Sequence, residues 1–166
     1  MPPARPGAEQ GKKLAKDNAD TLAAITRSDE TLEFVVPIDE DGPATGDVAV
    51  RGVPVGLLHS VGAMSGESLK QDAETVTRVT HGSPKAIASV CAVAYGVLLA
   101  ARQAAEGAAI ARETAAFLGG GSIAAALERI GTGEVASLDD AIAAFGDGDD
   151  AAAVVATGFA AAIGAS

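Results

Sequence analysis

The sequence predicts an all-α fold, a single domain of several helices, and three observations carry that expectation. Apolar residues make up 48% of the chain but aromatics only 3%, so the core has to be assembled from Ala, Val, Leu and Ile. Alanine is the strongest helix former, and Ala-rich faces let helices approach closely. Along several segments the apolar residues recur at steps of three and four, the helical period. At 166 residues the chain is long enough to bury a core as one domain.

The elements follow in order. Residues 1–7 carry three prolines and a glycine and read as a disordered tail. Ala8 to about Thr26 reads as a polar-to-amphipathic helix with Leu14, Leu22 and Ile25 inward. Leu32, Phe34, Val35 and Val36 form a short apolar run, a strand or an extended loop, ended by Pro37 and by turn chemistry through Asp47. Val48 to about Ser60 returns to helical spacing with Val50, Val53, Leu57 and Leu58. Pro54 there requires either a kink or a helix that starts near Gly52.

Ser65 opens a helix to Val79, with Leu69, Ala73, Val76 and Val79 inward and Lys70, Asp72, Glu74 and Arg78 outward. Thr80 to Pro84 is a corner. Ser83 can accept from the free N–H groups of the next turn, and Pro84 sits where a missing N–H costs nothing. From Ile87 to about Ala105, the residues Ile87, Val90, Cys91, Ala94, Val97, Leu98 and Ala101 make one wide apolar stripe. Ala108–Leu118 is a further helix, broken by Gly119, Gly120 and Gly121. Ser122 can cap the next one, which stops at Gly131-Thr132-Gly133. Ser137 to Asp140 has capping-box spacing with Asp in place of Glu. Gly146 to Asp150 is a turn before a last Ala-rich helix. The total is seven or eight helices and at most one short strand.

Composition also excludes classes of function. With 22 acidic against 12 basic residues the net charge is −10, so the cationic clusters needed for nucleic acid or anionic lipid are not expected. No apolar run is expected to reach the ~18 residues of a membrane span, and no secretory h-region opens the chain. The single cysteine, Cys91, lies on the apolar stripe and reads as a buried structural thiol. A lone cysteine forms no internal disulfide, which agrees with a reducing cytoplasm.

Three segments in sequence order carry a family resemblance: Thr45 to Leu58, Val79 to Ala100 and Ile130 to Phe145. The first resembles the Ser-Asn-Gly-Ala-Ala-Met-Arg-x-x-Pro helix of the ADP-ribosylglycohydrolase family, with Arg51 and Pro54 matching and Gly46-Asp47 standing where Asn-Gly is usual. The second is similar to that family's Thr-His-x-x-Pro-x-Ala helix corner, and the third to its Gly-x-Gly loop and following helix. The resemblance implies a shortened all-α orthogonal bundle over residues 8–166 and ADP-ribose, or an ADP-ribosylated protein, as the partner. It also implies two magnesium ions held by oxygen ligands.

Departures accompany the matches. The chain has no Thr-Asp-Asp motif of the family's N-terminal metal half. Asp147 and Asp149 are the only candidates for the C-terminal half, unless the last helix aligns upstream of that motif. Those two carboxylates at i and i+2 are either cation ligands or turn residues that cap helices. The resemblance assigns substrate contact to Gly131, Thr132, Gly133, Arg51 and His81. Their other readings are a helix C-cap for the glycines, an ion pair for Arg51 and a corner hydrogen bond for His81. His59, near a helix end, is expected to meet terminal carbonyls. The functional expectation is an ADP-ribosylglycohydrolase-like hydrolase that is weakly active or inactive, a pseudoenzyme. Beside it stand a non-catalytic ADP-ribose- or nucleotide-binding module and a helical interaction or dimerisation protein.

Overall fold

The computed structural model describes residues 44–62 and 65–164. The expected tail over residues 1–7, helix over 8–26 and apolar run at 32–36 lie outside the described residues. Among those described there are seven α-helices and no strand. A 3-10 turn, Gly46–Arg51, leads into α1 (Gly52–Ser60), α2 (Gly66–Arg78), α3 (Pro84–Ala101), α4 (Ala108–Leu118), α5 (Gly121–Gly131), α6 (Leu138–Phe145) and α7 (Ala151–Gly164). The all-α expectation holds.

Helix α3 is the hub. It packs against the 3-10 turn, α1, α2, α4, α5 and α7. Ser83 caps it by accepting from Ala86 N–H at 3.2 Å, and Pro84 takes the first helical position. Instead of one stripe, the burial wraps round the helix, with Ala86, Ser89, Val90, Cys91, Ala92, Ala94, Gly96 and Leu99 all buried. That all-round burial accounts for its composition. At 18 residues α3 is in fact long and apolar enough to cross a membrane by length and composition, which corrects the expectation that no segment is. It ends at Ala101, short of Ala105, because Gln103 turns the chain at φ 51°.

Helix α1 starts at Gly52, so Pro54 falls in the first turn, where no intrahelical N–H bond is lost. Its buried side is Gly52, Val55, Gly56 and His59. A Cβ at Gly52 would lie 2.5 Å from Val90 O, and one at Gly56 would lie 2.9 Å from Val97 Cβ and closer still to Ala94 O. Two glycines four apart therefore set the α1 backbone directly on α3. The apolar residues that gave α1 its helical spacing face outward instead.

Ser65 caps α2, accepting from Ser68 N–H at 3.1 Å. The inward side is Leu69, Ala73 and Thr77, while Val79 is exposed because it lies beyond the last turn. Thr77 tolerates full burial by donating to Ala73 O at 2.6 Å. Tyr95 of α3 stacks on Phe117 of α4 with ring centroids 4.0 Å apart. Helix α5 begins at Gly121 with no side-chain cap, so Ser122 sits inside the first turn. Ser137 caps α6 as expected, accepting from Asp140 N–H at 3.1 Å and donating to the Asp140 carboxylate at 2.8 Å. The main core joins Leu127 and Ile130 of α5, Val135, Ala141 of α6 and Val155, Ala156 and Ala160 of α7.

Candidate functional site

One polar cleft is assembled from three separated segments. Gly46 N–H donates to Asp149 O at 2.7 Å and Ala151 N–H donates to Ala44 O at 3.0 Å. These bonds make an isolated antiparallel bridge between Thr45 and Asp150. The cleft is lined by Thr45, Gly46, Asp47, Asp149 and Val154. His81 reaches it from the corner between α2 and α3, where its N–H donates to Thr77 O at 2.9 Å.

The hydrogen bonds give the cleft a direction. Thr45 has one hydroxyl proton and donates it to the Asp47 carboxylate. The contact from Thr45 Oγ1 to His81 Nε2, long at 3.5 Å, is then made with Nε2 as donor. In the neutral ring Nδ1 is left to accept from Thr80 Oγ1 at 2.7 Å. The Thr45 hydroxyl is the main cause that holds the Asp47 carboxyl below its usual range, against a smaller desolvation effect, and a protonated His81 ring pulls the same way. Beside it, Lys85 donates to Asp150 and lowers that carboxyl too. The other Asp150 oxygen accepts from Ala152 N–H at 2.9 Å, capping α7.

The residues singled out in the sequence divide. Asp149 lines this cleft and His81 reaches it through Thr45; Asp147 is exposed and outside its lining. Arg51 is half-buried at the end of the 3-10 turn and donates to Val76 O at 3.0 Å, so its partner is a carbonyl at the C-terminal end of α2. Gly131 is the last residue of α5. Arg112 donates to its carbonyl at 2.8 Å and fills the space where a Cβ would stand. Thr132 N–H donates to Glu128 O at 2.9 Å and Gly133 N–H to Ile130 O at 3.0 Å. Both amides thus close the C-terminal end of α5. Thr132 lines a separate groove between α4 and α5, with Arg112 and Glu128.

Two site features were not anticipated. Thr45 and Asp47 lie within the first family-like segment, yet their hydroxyl and carboxylate roles follow only from the bridge to Asp150. His59 is not a capping residue. It is buried, and its Nε2 lies 2.8 Å from Asp72. The carbonyls at the end of α1 are taken instead by Arg102, which donates to His59 O at 2.6 Å, Ser60 O at 3.1 Å and Gly62 O. Cys91 is buried as expected, and desolvation pushes its thiol up to about 11.

Magnesium, which a family of this kind typically requires, finds no fitting donor set among the described residues. No three His, Cys, Asp or Glu side chains converge there. Asp150 is tied to Lys85 and to the α7 cap, and Asp47 to Thr45.

The architecture defines the class: an all-helical domain with a hydroxyl- and carboxylate-lined cleft where its N-terminal and C-terminal described segments meet. The chain belongs to the ADP-ribosylglycohydrolase family, whose model matches residues 4–166. No curated protein matches the chain. No solved structure matches it.

Proposed function

We propose that this chain is a cytoplasmic ADP-ribosylglycohydrolase-family protein that recognises the ADP-ribosyl group at the Thr45–His81–Asp149 cleft and hydrolyses its linkage weakly or not at all. One observation carries the reading: no three acidic, imidazole or thiol side chains converge among the described residues, and polar groups that a site could draw on are engaged in the scaffold. Asp150 caps α7 and pairs with Lys85, the Thr132 and Gly133 amides close α5, and Arg51 caps α2. The cleft groups that bond one another can still trade those bonds for a ligand's. The Thr45 and Thr80 hydroxyls, the His81 ring and the Asp47 and Asp149 carboxylates can exchange hydrogen bonds with ribose hydroxyls.

The test has two arms. Hydrolysis of ADP-ribosylated arginine and serine peptides is measured with and without magnesium, and turnover at an ordinary enzymatic rate, about 1 s⁻¹ or faster, overturns the reading. Calorimetry with ADP-ribose then separates binder from scaffold. Heat that is lost in a Thr45→Val, Asp47→Asn variant supports recognition at this cleft, and no heat at millimolar ligand removes it.

A further inference from the structure

The outer side of α1, continued by Val50 of the 3-10 turn and by Val61, is an apolar ridge. Val50 is 67% exposed, Leu57 50%, Leu58 64% and Val61 84%, with Val53 also in the row. Among the described residues no charged side chain interrupts it, since Arg51 turns to Val76 O and His59 is buried. Alongside runs an apolar groove of about 440 Å³ between the 3-10 turn, α3, α4 and α7. Its walls include Val93, Gly96, Val97, Val154, Gly158 and Phe159, and none of its described lining residues has a charged or polar side chain.

Ridge and groove are neighbours. Val50 belongs to both, and the glycines that seat α1 on α3 lie against Val93 and Val97, which are groove residues. One surface therefore carries a convex apolar element and a concave apolar element side by side. A two-fold axis near Val50 would set the ridge of each copy in the groove of the other, the self-complementary arrangement of a cyclic dimer. The ridge exposes on the order of 500 Å² of apolar side chain per copy, so two ridges with their groove walls reach the ~1,000 Å² of a specific interface. Charge favours the same occupant. The chain carries −10 overall, and this uncharged surface is where two copies can meet without bringing like charges together.

We infer that the α1 ridge and the adjacent groove form a homodimer interface, with a second copy of this chain as the occupant. The inference does not depend on the function of the cleft.

Sedimentation equilibrium on the full chain tests it. A dimer at micromolar concentration is expected, and a monomer throughout overturns the inference. Leu57→Glu on the ridge and Gly158→Leu in the groove should each weaken the dimer about tenfold or more. Gly158 has open space round its Cβ position, so that variant fills the groove without a backbone clash. Circular dichroism confirms that both variants stay folded, and Leu138→Gln, on α6 outside both surfaces, should leave the dimer unchanged. A folded Leu57→Glu or Gly158→Leu protein that still dimerises normally refutes this interface. Finally, Val53→Cys protein mixed with Gly158→Cys protein should give a covalent dimer with a short bis-maleimide, because native Cys91 is buried. Absence of that product counts against the ridge-in-groove arrangement.

Discussion

His59 Nε2 lies 2.8 Å from the Asp72 carboxylate, while its Nδ1 is buried without a hydrogen-bond partner. With Nε2–H donating to Asp72, the imidazole is a buried polar ring satisfied on one side only. Removing Asp72, which is half exposed, leaves both nitrogens unpaired. Asp72→Ala should therefore cost about 1–3 kcal/mol. Adding His59→Leu should recover part of the loss, because an apolar side chain needs neither bond. Urea unfolding of the two single variants and the double variant checks this.

Two glycines should respond oppositely to the same substitution. Gly56→Ala drives a Cβ into the Ala94 carbonyl and forces α1 off α3, at a cost of about 1–3 kcal/mol even after the gain in helix propensity. Gly158→Ala meets nothing within 4 Å in the middle of α7 and should stabilise by roughly 0.5–1 kcal/mol. Thermal melts of both decide it. Equal effects would mean that the α1–α3 approach is looser than described.

Asp150 and Asp47 should both titrate below ordinary aspartate, for different reasons. Lys85 donation is the main cause at Asp150, against a smaller desolvation effect. Thr45 donation is the main cause at Asp47. A depressed folded pKa gives stability that is fully present above the unfolded value of about 3.9 and is lost as pH falls through the folded value. The Lys85–Asp150 pair is partly exposed, so its share is below ~1 kcal/mol. Carboxyl NMR titration should show the Asp150 midpoint rising in Lys85→Met and the Asp47 midpoint rising in Thr45→Val.

Cys91 should be chemically silent in the native state. The thiolate is the reactive form, and burial with a thiol pushed up to about 11 leaves almost none at pH 8. Disulfide-exchange reagents should label it only after denaturant is added. Rapid native labelling would show that α3 opens locally.

Much of the fold was legible because its punctuation is local. Ser65, Ser83 and Ser137 each cap the helix they precede, and Gly119 to Gly121 break the chain where expected. What period alone could not give was which side of α1 faces inward. Val50, Val53, Leu57 and Leu58 look like a core stripe, but two glycines win the contact with α3 by allowing closer approach. The cleft was half legible for a related reason. His81 and Asp149 each stand out in sequence, but what joins them to the Thr45–Asp47 segment is a side-chain contact and a backbone bond between segments far apart in the chain.

The bridge between Thr45 and Asp150 has a kinetic consequence. It ties together residues about a hundred positions apart, and such contacts form only after the entropy of closing the intervening loop has been met. The packed helix pairs α1–α3 and α4–α5 rest on nearer contacts and can form first. The polar cleft is then among the last parts of the domain to be completed and among the first to be lost on unfolding. A ligand held there would act as a clasp on the whole domain, slowing its opening while touching only its two seams.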